Sequence, residues 1–223
     1  MPAQKIKPTK LRSEEKLANV DDVLKNPDLE LAQLKFQLSL PEYSKDQAKK
    51  SQLLNSITTN DMAPYYQKVC GDLRWTVNDN LLKAMQERNE KALEAFDEEI
   101  EYAVNNLSVI DAKEAFLNKA NYLSQIGDKD ATIQTLRQAY DKTVALGYKL
   151  DNLFHCIRIG LFFMDLNLIQ TNLQRSEELL ELGADWHSRN CYKMCKALYS
   201  LTVRDFTTAT AIFVSAISTF ICT

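Results

Sequence analysis

Two histidines and five cysteines are the residues of this chain best suited to do chemistry. His187, Cys191 and Cys195 lie one helical turn apart, so a helix would carry all three on one face, a spacing that suits three ligands of a zinc ion. No fourth ligand lies nearby. Tyr192, Ala197 and Leu198 mark the same segment as packing surface, where small apolar cysteines are common. The expectation is therefore a helix interface without a metal. His155 and Cys156 are adjacent, and neighbours on a helix point in different directions, so they form no ready-made dyad. A cysteine hydrolase would also need an oxyanion site, and no motif supplies one. Gly71 to Trp75 and Leu182 to His187 contain glycines but follow no strand, and there is no Walker lysine. No catalytic, cofactor-binding or metal residue is assigned, and neither an enzyme nor a small-molecule substrate is expected.

Binding is the remaining kind of chemistry. Trp75 and Trp186 could anchor a partner, since tryptophan is enriched at interface hot spots, but they also suit the corners between helices, which is the reading preferred here. The pairs Tyr65-Tyr66 and Phe162-Phe163 are read as core. Glu94, Asp97, Glu98, Glu99 and Glu101 are read as the solvated back of a helix rather than an acidic docking face. Residues 1–20, with Lys5, Lys7, Lys10, Arg12 and Lys16, read as a disordered basic tail. The net charge of −3 offers no general basic surface, so no nucleic acid is expected.

The elements that must position these residues are helices. All five prolines fall at or before Pro64, and none occurs from 65 to 223. Proline removes a backbone donor and clashes with the preceding turn, so a long proline-free stretch favours helix. Five glycines are too few for the turns of a β-protein of this size. Asn26-Pro27-Asp28 reads as a helix start with Asn26 as cap, and Pro41 as its stop. Short helices follow over 46–58 and from about Pro64. A long acidic one spans 80–107, with Leu93, Phe96, Ile100, Ala103 and Leu107 as its stripe. The apolar stretch Ala209 to Cys222 is shorter than the ~20 residues of a membrane span and reads as a buried core helix, so no membrane partner is expected. The odd cysteine count and a polar start without an apolar h-region point to a reducing compartment, cytosol or nucleus.

From Asp111 the helices begin to resemble one another. Asp111 and Glu114 form a capping-box-like start. Phe116, Ala120 and Leu123 follow on one face, then a Gly127-Asp128 turn, then Ile133, Leu136 and Ala139. This order resembles a tetratricopeptide (TPR) repeat, with Thr132 in place of the usual alanine predicting looser packing. Gly160 and Phe163, then Ser176 and Leu180, repeat it around a longer turn at 167–172. Ala197, an Arg204-Asp205-Phe206 turn, Ala209, Phe213 and Ala216 repeat it again. Degenerate spacing of this kind suits an all-α, TPR-like helical solenoid. The expected division is a tail over 1–20, N-terminal helices over 21–110 and repeats over 111–223. A solenoid normally ends on a polar capping helix, and this one ends apolar, so a shortened form of a longer protein is expected.

Five strings sharpen this reading: KNPDLELAQLKFQLSLPE from Lys25, NDMAPYYQKVC from Asn60, IGDKDATIQTLRQAYDKTVALGYKLD from Ile126, IRIGLFFMDLNLI from Ile157 and VRDFTTATAIFVSAISTF from Val203. Together, in order, they resemble the PCI-family lid subunits of the proteasome regulatory particle over about 24–220. The resemblance implies a right-handed helical-repeat arm followed by a winged-helix PCI module, with other lid and base subunits as partners. It carries over no catalytic residue and no cofactor, and it implies a cytoplasmic and nuclear location. Nothing here resembles the winged helix, so that module is expected to be absent. The function implied is a non-catalytic scaffold in ubiquitin-dependent protein degradation. A PCI subunit of the COP9-signalosome type shares the architecture. A free-standing TPR-like peptide adaptor is the other reading, though the Lys/Asn/Arg pattern of a carboxylate clamp is missing.

Overall fold

A computed structural model describes residues 26–217, and among them every regular element is an α-helix. The basic tail and the last residues of the apolar C-terminal stretch lie outside the described residues. Four helices come first: α1 Leu29–Ser39, α2 Gln47–Thr59, α3 Ala63–Leu73 and α4 Asp79–Asn106. Six more follow: α5 Val109–Ile126, α6 Lys129–Asp141, α7 Leu146–Phe163, α8 Leu166–Glu181, α9 Trp186–Thr202 and α10 Phe206–Ile217. Consecutive helices from α4 onward pack on one another in order, which is how a helical-repeat stack buries faces that no single pair can bury.

Local chemistry sets the boundaries. α1 is capped by Asp28, whose carboxylate accepts from the Glu30 N–H at 2.9 Å. The cap expected at Asn26 is thus two residues late, because Asn26 is used elsewhere: its amide donates to Asn121 Oδ1 at 3.1 Å. Leu40 turns to extended backbone before Pro41, as the proline ring demands. α2 starts on Asp46, and α3 carries Pro64 in its first turn, where a missing N–H costs nothing. α4 runs 28 residues, about 42 Å at 1.5 Å per residue. Its acidic back is exposed, and its stripe is only half-covered, with Leu107 at 50% exposure.

α5 begins three residues before the sequence reading puts it. Ser108 is the cap and Asp111 the third-position partner, each accepting from the other's backbone N–H. The three turns within repeats share one design. Gly127, Met164 and Arg204 take left-handed backbone, and the next residue (Asp128, Asp165, Asp205) caps the following helix. The turn expected at 167–172 is therefore only Met164-Asp165, and residues 167–172 lie inside α8. Methionine gives no sign of a left-handed position, since that conformation normally selects glycine.

Close approach is required where small residues are expected. Ala120 and Ala197 are fully buried, and a Cβ on Gly160 would lie 2.6 Å from Ile169 Cγ1. Thr132 does not loosen the packing. It is 1% exposed, and its hydroxyl donates to the Asp128 carbonyl of its own helix. The returning face of α6 is Thr132, Thr135, Leu136 and Ala139, with Ile133 only half-buried.

The N-terminal helices are joined to the stack by a shared core. Leu31, Leu53, Ile57, Tyr65, Val69 and Met85 enclose Phe162, which comes from α7. Arg158 donates to the Pro27 carbonyl at 3.0 Å, beside the Asn26–Asn121 contact. At the other end α10 packs chiefly on α9. Ala209 and Ala216 are buried, but Phe206 and Val214 are 62% and 64% exposed, so α10 is half-buried rather than the core helix expected. No described helix is long and apolar enough to cross a membrane.

Candidate interaction surface

Among the described residues Cys70, His155 and Cys156 are buried, Cys191 and Cys195 are partly buried, and His187 is exposed. His187 Nε2 lies 3.6 Å from Cys191 Sγ. Burial raises the Cys191 thiol and pushes Cys195 up to about 12, so both keep their protons near neutral pH. Among the described residues no three His, Cys, Asp or Glu side chains are grouped to hold an ion. Cys156, 7% exposed, is likewise pushed up to about 12 by burial.

His155 is a structural tie. It is 4% exposed, its Nε2 lies 3.1 Å from Ser124 Oγ, and the Asn26 backbone accepts a further hydrogen bond from the ring. Burial, reinforced by Arg158, lowers its pKa to about 4. The folded value thus lies below the ordinary value near 6.5, so the unfolded chain takes up a proton that the folded chain refuses. Its contribution is complete above about pH 6.5 and is lost as the pH falls toward 4, by about 3 kcal/mol. His155→Gln should therefore be less stable than the wild type at pH 7. By pH 4.5 that gap should close by about 2–3 kcal/mol in urea unfolding, and an unchanged gap would contradict a buried neutral imidazole.

Three of the four paired aromatics are core, as expected, and Phe163 is partly buried against them. Tyr65, Tyr66 and Phe162 are 1%, 4% and 4% exposed, and the Tyr65 hydroxyl donates to the Leu31 carbonyl at 3.3 Å. Trp75 is half-buried, with the Lys50 ammonium 4.7 Å from its ring centroid. Trp186 stands at the corner between α8 and α9, as expected, but it is 59% exposed rather than core.

Its surroundings form an exposed apolar surface. In an antiparallel stack, alternate turns lie at the same edge. The α4–α5, α6–α7 and α8–α9 turns share the edge opposite the aspartate-capped turns. The first presents Val109 (63%) and Ile110 (70%), the second Val144 (91%) and the third Leu182 (75%) and Trp186. Contacts join the turns into one strip. The Lys113 ammonium sits 3.8 Å from the Tyr148 ring centroid, bridging the first two. A groove of about 250 Å³ lined by Ala145, Gly147, Tyr148, Asp151, Asp185, His187 and Ser188 joins the last two. Sequence reasoning missed this strip. The available signal was large apolar residues in turns, where polar residues are usual. Such a surface sets exposed apolar groups beside carboxylates.

Comparison with known proteins places this architecture. Residues 78–223 match the family described as 26S proteasome subunit RPN7. The 26S proteasome non-ATPase regulatory subunit 6 of Caenorhabditis elegans is 40% identical over 196 residues, covering 87% of this chain and 48% of its own length. Its namesake in Dictyostelium discoideum is 34% identical over 200 residues, covering 90% and 52%. The 26S proteasome regulatory subunit RPN7 of Saccharomyces cerevisiae is 28% identical over 217 residues, covering 87% and 51%. The chain spans about half the length of the curated relatives it matches.

Proposed function

The chain belongs to the RPN7 family of 26S proteasome subunits, and on that premise we propose that it acts as a non-catalytic helical arm in the proteasome regulatory particle, holding other lid and base subunits by protein–protein contacts in ubiquitin-dependent degradation. The observation that carries this reading is the continuous family match over the same helices that form the repeat stack. It is supported by thiols held protonated and a His155 ring locked in a buried hydrogen-bond tie, neither available for nucleophilic or acid–base work. The right-handed sense of the stack, the division into 21–110 and 111–223 and a cytoplasmic and nuclear location belong to the same proposal.

Affinity purification of the tagged chain from cells, with mass spectrometry of what accompanies it, tests this. Lid subunits recovered in stoichiometric amounts are the expected result. Recovery of chaperones alone, or of nothing, would remove the scaffold role from this chain.

A further inference from the structure

The cations and carboxylates of the strip are held differently. Its cations contact aromatic rings and carbonyls. Lys113 lies over Tyr148, Lys142 has its ammonium 5.5 Å from the Phe116 centroid, and Lys149 5.1 Å from that of Tyr140. Arg189 donates to the Ala184 and Leu180 carbonyls at 3.2 and 2.9 Å. Asp151 and Asp185 line the same groove with His187, both carboxylates exposed, and among the described residues neither lies within ion-pair distance of a lysine or arginine, although Lys113 and His187 attract Asp151 from farther off. One oxygen of Asp185 caps α9 by accepting from the Ser188 N–H at 2.7 Å. Partial loss of water raises the Asp151 carboxyl above its ordinary range, a cost that an incoming cation would relieve.

Apolar groups on both sides of a carboxylate pair with no lysine or arginine in direct contact define the complementary shape. We propose that this edge docks a helical segment of a protein partner whose large apolar side chains cover Val144, Leu182 and Trp186 while a lysine or arginine enters the groove between Asp151 and Asp185. This rests on the reading of the chain as a protein-contact arm and names the chemistry of the contact. Burial of the aromatic and aliphatic groups would supply affinity, and the carboxylate pair would select the register and the sign of the partner's charge.

The test uses the full chain and two labelled synthetic amphipathic peptides with the same leucine face, one with lysines and one with glutamates on the polar face. By fluorescence anisotropy, the lysine peptide should bind about tenfold tighter or more. The double variant Asp151→Asn, Asp185→Asn should abolish that preference, since asparagine keeps the α9 cap but not the charge. Trp186→Ala should weaken both peptides, and Glu98→Gln with Glu99→Gln should change neither. Thermal melts of the variants check that the fold is kept. Equal binding of the two peptides, no binding, or a preference that survives the Asp151/Asp185 variant would overturn the proposal. So would sedimentation showing a dimer that Trp186→Ala dissolves, which would make a second copy the occupant. If lid subunits co-purify with the chain while the peptide preference is absent, the docking chemistry fails and the scaffold reading stands. If the preference is present while no lid subunit co-purifies, the reverse holds.

Discussion

Gly127→Val is expected to destabilise the chain by about 3 kcal/mol or more, read as a fall in the urea midpoint. Two independent costs combine. Gly127 closes α5 in left-handed backbone at φ 78°, which a β-branched residue adopts only with strain of about 1–2 kcal/mol. Any Cβ there would also lie 2.7 Å from Tyr65 Cβ, and Tyr65 cannot yield. It is 1% exposed, its ring is 4.8 Å from that of Phe162, and its hydroxyl holds α1 through Leu31. Overpacking a fixed core of this kind costs a further 1–3 kcal/mol, roughly. Gly71→Ala is the internal control. It lies inside α3 with open space around it and no left-handed requirement, so it should stabilise by up to about 1 kcal/mol. A Gly127 variant as stable as the wild type would show that Tyr65 has room to move.

Phe162→Ala should cost about 3–5 kcal/mol and should also change the form of unfolding. Phe162 belongs to α7 but fills the core of α1 to α4, between Tyr65 and the edge of Phe163, so its removal empties space on both sides of the junction. In a Trp186→Phe background the remaining indole, Trp75, reports on the N-terminal core, while circular dichroism reports on all the helices. The two signals should coincide for the parent and separate for Phe162→Ala, with the Trp75 transition coming first. Coincident transitions in the variant would mean that the remaining seam contacts couple the two parts without Phe162.

Much of the fold was legible in the residues, for reasons that differ from helix to helix. α4 could be read nearly to its ends because an apolar stripe marks it, and the structure adds Asn78 as its cap. α2 and α3 were equally visible through Asp46 and Pro64. Some errors were local, such as the start of α5 at Ser108, and others involved tertiary contacts: Asn26 bonds Asn121 instead of capping α1, and Met164 takes left-handed backbone beside the close approach of Gly160 and Ile169. The apolar edge was less legible still. Val144 and Leu182 look like core residues in a one-dimensional pattern. Only the alternation of turns shows that they share an exposed edge, and only the geometry shows that Asp151 and Asp185 meet there. Trp186 was misread for the same reason.

The two ends of the stack are fastened unequally. At one end Asn26 and Pro27 are tied to Asn121, His155 and Arg158, while α10 at the other end is held chiefly by α9. In a structure whose stability is a sum of nearest-neighbour terms, such asymmetry gives unfolding a direction. Amide protons should exchange soonest in α10, then α9, and last around Leu123, Ile157 and Phe162. A molecule pulled by its ends should peel from the α10 side, one helix pair at a time, with the clasped end releasing as the final and largest step.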